Sequence, residues 1–197
     1  MPRSEHTITR EDVMDMAVYA EERKSRRIAV TQMKRNRRVH VGPDATAYFE
    51  NFDTIWHQIH EMLHIEQGGE AQIDDELRAY STLVPNGREL VCTLMFEIDE
   101  PDRRAKFLAG LGGVEETITL RLGPDTIQAT PEDDVDRTNA AGKASSIQFL
   151  HFNFSEAQAE VFKQGDVEIG LAIGHEKYGH MAILAPQIRK ALAADLD

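Results

Sequence analysis

The sequence predicts a single α+β domain spanning residues 1–197, a largely antiparallel sheet with several short helices. Three observations lead there. First, 197 residues with 41% hydrophobic and 28% charged side chains make a chain long enough to bury a core without metal or disulfide staples. Second, short runs of alternating or β-branched residues recur between Gly, Pro, Asn and Asp turns, as at Gly42-Pro43-Asp44, Pro85-Asn86-Gly87 and Gly123-Pro124-Asp125. Third, the segments with helical spacing do not alternate regularly with the strands, which argues against a parallel, doubly wound sheet.

In chain order, Thr9 with Asp12 reads as a capping box, and Val13, Met16, Ala17 and Ala20 carry a first helix to about Glu22. From Arg26 to Val41 the pattern fits either a hairpin or a helix running into a strand, with strand favoured at 37–41. Residues 45–50 form a returning strand with Tyr48 and Phe49 on opposite faces. Asn51 or Asp53 then caps a helix over 54–67 that turns Ile55, Ile59, Met62 and Leu63 inward and is stopped by Gly68-Gly69. A short helix covers 71–80 and a strand covers 89–98. Asp99 starts a helix over 101–109, followed by strands at 116–122 and 126–130. The acidic stretch 131–142 reads as a loop. Residues 146–154 alternate with both faces partly apolar, as in a central strand. Ser155 caps a helix to Gln164, strands follow at 166–173 and 181–184, and Pro186 opens a final helix.

Composition narrows the function classes. Net charge is -12, from 22 Lys and Arg against 34 Asp and Glu. Cys92 is the only cysteine, which excludes an intrachain disulfide, a thiolate zinc cage and a CxxC redox centre and points to a cytoplasmic protein. The opening residues lack the apolar core of a signal peptide, and no stretch is long enough to span a membrane. Charge is nonetheless segregated. Residues 1–41 hold ten cations and six acids, and Arg23 to Arg38 contain eight cations and no acid. Such a stretch suits nucleic-acid phosphates, but no helix-turn-helix, RNP or zinc-finger pattern accompanies it. An acidic protein or ligand, or the chain's own acidic 132–136 segment, is the simpler match; a second copy of the chain is a further candidate.

Two histidine clusters are candidates for chemistry. His60-Glu61 and His64 spell H-E-x-x-H on a helix, where i and i+4 imidazoles could share a metal and Glu61 could act as general base. The HxxGxxH continuation is missing and no third ligand is identifiable, although Glu89 lies at a tolerable separation. A non-catalytic metal site of His57, His60 and His64 is the milder form. The second cluster, His175, Tyr178 and His180 among Gly174 and Gly179, reads as a loop between two strands and could transfer protons or ligate iron or zinc, with Glu50 or Glu61 nearby. If that loop met the helix of 56–64, five histidines would converge. Cys92 lies within a strand and is expected to be buried.

The runs Lys34-Arg35-Asn36-Arg37-Arg38-Val39, Gly42-Pro43, Tyr48-Phe49-Glu50-Asn51 and Asp53-Thr54-Ile55-Trp56, continuing to His175, Tyr178 and His180, resemble a bacterial family. It is a domain of unknown function whose genes tend to sit beside those of rubrerythrin and a cysteine-rich iron-sulfur oxidoreductase. The resemblance spans nearly the whole chain and implies an accessory protein of a redox or oxidative-stress system, with one of those two proteins as partner. Positions 60 and 64 are typically Gln and Arg in that pattern, which sets the H-E-x-x-H apart from any shared chemistry. The matched residues able to bind a ligand or partner are Arg35, Arg37, Arg38 and Asn51.

Overall fold

Two antiparallel sheets face each other around one apolar core, and three helices form a separate layer on the outside of the first sheet. A computed structural model describes residues 6–132 and 143–197. A 3-10 turn (Arg10–Asp12) leads into α1 (Met16–Lys34), β1 (Arg38–Val41), β2 (Ala45–Phe49), α2 (Phe52–Glu66) and α3 (Glu70–Tyr80). Then come β3 (Glu89–Phe96), α4 (Pro101–Ala109), β4 (Ile118–Leu122), β5 (Asp125–Gln128) and β6 (Thr130–Pro131). The chain ends with β7 (Ile147–Asn153), α5 (Glu156–Gln164), β8 (Ile169–His175), β9 (Tyr178–Ile183) and α6 (Pro186–Ala193). The first sheet has the order β1-β2-β3-β7-β6 and the second β5-β4-β8-β9. β5 and β6 are nearly continuous, so the chain steps from one sheet to the other at Ala129, whose N–H donates to the Ile118 carbonyl.

Period-2 alternation explains the core. Val39, Val41, Ala47, Phe49, Cys92 and Leu150 face inward from the first sheet and meet Leu120, Leu171 and Ile173 from the second. Cys92 is buried, as its strand position implies, and burial holds its thiol neutral. The outward residues of β3 and β7 make a second, smaller cluster: Val91 and Phe149 pack under Ile55, Ile59 and Leu63 of α2 and Leu83. This is why 146–154 looked apolar on both faces: β7 lies between β3 and β6 with helices on one side and the core on the other.

Several elements differ from expectation for identifiable reasons. α1 does not stop near Glu22 but runs through the basic stretch to Lys34, because Arg, Lys, Gln, Met and Ala are good helix formers and cations suit the negative end of the helix dipole. Thr9 and Asp12 cap the 3-10 turn, while Asp15 caps α1. Asn51 caps α2, whose end is made by Gln67 in the left-handed region (φ 54) before the two glycines are reached. Glu100 rather than Asp99 caps α4. Residues 174–180 are not a loop: β8 and β9 form a tight hairpin turning at Glu176-Lys177, with His175 ending one strand and Tyr178 starting the other. Of the acidic stretch, Pro131 lies in β6 and residues 133–142 fall outside the described residues. Among the described residues, no helix is long and apolar enough to cross a membrane.

Candidate functional site

The helix carrying H-E-x-x-H packs against α1, and its polar side chains are spent on that seam. His60 is fully buried and stacks on Trp56 at 3.6 Å between ring centroids. Its Nδ1 lies 2.6 Å from the Trp56 carbonyl, and its Nε2 accepts from the Met14 N–H at 3.1 Å. The imidazole is therefore the Nδ1–H tautomer, and burial pushes its pKa down to about 4. Neither nitrogen is left for a metal. Glu61 accepts from Arg23 Nε and Nη2, both at 2.8 Å, and from the Tyr19 hydroxyl at 2.7 Å. The Arg23 bonds, outweighing partial burial and reinforced by Tyr19, hold Glu61 down at about 2, so it is a fixed anion and a poor base. His57 Nδ1 sits 3.1 Å from the same hydroxyl, and burial lowers the pKa of that ring as well. His64 stands apart as part of the wall of an open cleft of about 770 Å³ beside Val13, Met16, Leu63 and Ile73. Among the described residues no group of three His, Cys, Asp or Glu could hold a metal. The i, i+4 spacing holds on the helix, but the His60 nitrogens are engaged by the Met14 N–H and the Trp56 carbonyl, and Glu61 is engaged by Tyr19 and Arg23 of α1.

The residues around the β1–β2 hairpin are also tied into structure. Arg37 is 3% exposed and makes a forked ion pair with Asp195 past the end of α6, one arm being Nη1 to Oδ2 at 2.7 Å. Glu50 accepts from Thr54 Oγ1 at 2.6 Å and Thr93 Oγ1 at 2.8 Å, joining the end of β2 to the first turn of α2 and to β3. Asn51 caps α2 through Thr54 N–H and sets its amide 3.6 Å from Met33 Sδ.

Tyr178 is likewise committed. Its hydroxyl donates to the Val41 carbonyl at 2.7 Å and accepts from the N–H groups of Asp44 and Ala45 at 2.9 and 3.0 Å, pinning the β1–β2 turn. The His180 ring covers Gly42, where a Cβ would come within 2.6 Å of it and where φ is +71°, so only glycine fits the turn. His175 Nδ1 accepts from Lys177 N–H at 3.2 Å. This hairpin packs on the turn of β1–β2, whereas His57, His60 and His64 meet α1, Met14 just before it and neighbours on α2, so the five histidines do not converge.

One titratable cluster had no motif to announce it. His151 on β7 lies between Glu89 Oε2 at 2.9 Å and Glu132 Oε1 at 2.8 Å. Glu89, the acid at a tolerable separation from the H-E-x-x-H, instead has its carboxylate on the His151 imidazole. Burial works against a charged ring, but hydrogen bonds to the two carboxylates outweigh it, so the His151 pKa is raised. A raised histidine pKa contributes stability that is complete below the unfolded value of about 6.5 and is lost as pH rises through the folded value. Thermal melts should therefore show a falling midpoint above about pH 6.5 that flattens in His151→Gln, and parallel curves for the two proteins would show that the cluster does not carry it.

What the seam leaves over is the outward side of α1. Of the eight cations in 23–38, Arg23 pairs with Glu61, Arg26 with Glu22 and the Trp56 ring, and Arg37 with Asp195. Lys24, Arg27 and Arg35 are exposed, with no acid paired to them among the described residues, and they flank a groove of about 530 Å³ whose floor includes Ile28, 53% exposed. Glu132, expected as an internal acidic match, is on His151, and residues 133–136 lie outside the described residues.

These features define an α+β protein in which a β-sandwich carries a helical annex with a cationic outer face. The chain belongs to the family described as a protein of unknown function, DUF3501, which matches residues 7–196. It is similar to a crystal structure of a novel protein of unknown function from Burkholderia pseudomallei K96243, with 34% identity and a TM-score of 0.89 over 97% of this chain and 100% of that one. None of the curated proteins matches it.

Proposed function

We propose that this is a docking protein, an accessory rather than a catalyst, that binds an acidic partner surface through the outer side of α1. The observation that carries it is the trio Lys24, Arg27 and Arg35, exposed around Ile28 with no acid paired to them among the described residues, while Arg23, Arg26 and Arg37 are spent on internal partners. An apolar residue ringed by unpaired cations suits an interface with an apolar centre and an acidic rim on the partner. The alternative, an iron- or zinc-dependent enzyme at His175, Tyr178 and His180, has less support because the Tyr178 hydroxyl is occupied by three backbone groups.

The resemblance to a family encoded beside rubrerythrin and a cysteine-rich iron-sulfur oxidoreductase makes those two the partners to test, in a redox or oxidative-stress setting. Co-elution with either should be present at about 20 mM salt and lost by about 300 mM, as expected for exposed charges. The triple variant Lys24→Glu, Arg27→Glu, Arg35→Glu should abolish it while leaving the circular dichroism spectrum unchanged, because all three positions are exposed. Reversal at Arg37 is the wrong test, since it would break a buried ion pair. Salt-independent association, or association retained by the triple variant, would overturn the proposal.

A further inference from the structure

The outer side of the first sheet is covered by helices only at one end. Register places Arg38, Tyr48, Thr93 and Phe149 in one row across β1, β2, β3 and β7, and His40, Thr46, Met95 and Ile147 in the next. In this second row His40 is exposed and Ile147 is 41% exposed, and exposed Glu97 lies beyond Met95 on the same side. The β1 and β2 half of the patch is polar, and the β3 and β7 half carries Met95, Ile147 and Phe149.

The polar half is an ordered chain of hydrogen bonds. Thr46 Oγ1 and the Tyr48 hydroxyl each donate to one oxygen of Glu97 at 2.6 Å. With its proton committed, Thr46 can only accept from His40 Nδ1, 3.0 Å away, which leaves the His40 Nε2 outside the chain. Burial acts to raise the Glu97 pKa, but the Thr46 and Tyr48 hydroxyls hold it below the ordinary value, so Glu97 is an anion with one hydrogen bond accepted at each oxygen. The Arg38 guanidinium lies 5.0 Å from the Tyr48 ring centroid. It has no ion-pair partner among the described residues, and its buried Nε has no hydrogen bond. A guanidinium held on an aromatic ring beside a hydrogen-bonded carboxylate is a cation fixed in place with its fork unused.

We infer that this sheet face binds a small organic carboxylate, its charged end on the Arg38 guanidinium and its apolar body along Met95, Ile147 and Phe149. The planar fork matches a carboxylate in two-point contact. Glu97 supplies one negative charge nearby, which disfavours a doubly charged phosphate more than a singly charged carboxylate. The four strands of a row span about 14 Å at ~4.8 Å per strand, room for a chain of eight to ten carbons. This inference is independent of the α1 docking face.

The test is calorimetric titration of the full chain with acetate, hexanoate, decanoate and decyl phosphate. Affinity should rise with length, by at most about fourfold per methylene laid on the shelf. Decanoate should bind more tightly than decyl phosphate. Arg38→Gln should weaken decanoate by roughly tenfold or more, the worth of a hydrogen-bonded charge. Ile147→Asp, at a position exposed enough to leave folding intact, should also weaken it and erase the length dependence, which keeps the test decisive if Arg38→Gln fails to fold. No binding at about 10 mM decanoate, equal affinity for decylamine, tighter binding of decyl phosphate, or indifference to Ile147→Asp would each overturn it.

Discussion

Arg37→Ala is expected to be the most damaging single change in this chain, lowering the unfolding free energy by about 3–5 kcal/mol. The guanidinium is 3% exposed and the Asp195 side chain 11%, and the two are held in a fork that joins the start of β1 to the end of the chain past α6. Burial raises the Asp195 pKa in spite of Arg37 beside it, which marks the pair as costly to maintain. Removing one partner therefore strands a buried charge rather than merely deleting an attraction. Urea titration at neutral pH measures the loss directly. The double variant Arg37→Met, Asp195→Leu should recover most of it, since neither charge then needs solvation. A single-variant loss under about 1 kcal/mol would show that solvent reaches the pair, contrary to its burial.

Tyr19→Ala should cost a comparable amount, about 3–5 kcal/mol, and should act locally. Tyr19 is the only fully buried residue of α1, with its ring against Trp56, His57, His60 and His64 and its hydroxyl on Glu61. A 19-residue helix anchored through so narrow a face depends on that anchor. Hydrogen exchange in α1 should accelerate in Tyr19→Ala while exchange in β3 and β7 stays slow. Tyr19→Phe, which keeps the ring and removes only the hydroxyl, should lose about 1–2 kcal/mol. Equal losses for both variants would assign the anchoring to the hydroxyl network instead of the ring.

The two changes also show why the candidate residues sorted as they did. Arg37 and Glu61 were singled out by the sequence because charged residues at those places are conspicuous, yet both are partners in buried or half-buried pairs. Arg37 meets a residue 158 positions away and Glu61 one 38 positions away. No local pattern encodes either meeting. The reverse holds for His151, which sits in an ordinary alternating strand and became conspicuous only when Glu89 and Glu132 closed on it from two other segments. A histidine preceded by apolar alternation carries no signal of this kind; the nearest hint was an acid at the start of β3, the strand that pairs with β7.

The sequence by itself determined the α+β class, the largely antiparallel strands, the helices expected at 54–67, at 101–109 and from Ser155 to Gln164, the burial of Cys92 and the cationic stretch, because all of these rest on local spacing, capping and composition; the first of these helices spans 52–66 and the second is capped by Glu100. Only the tertiary structure decided which cations are free and which are spent. It turned the H-E-x-x-H into the inner face of a two-helix seam, and it made the hydroxyl of Tyr178 a clasp for a turn more than a hundred residues away. The physical reason is that a polar group's role is set by the partners and the water that packing leaves to it. Those partners are brought by elements distant in the chain, so their identity is a property of the fold and not of any window of residues.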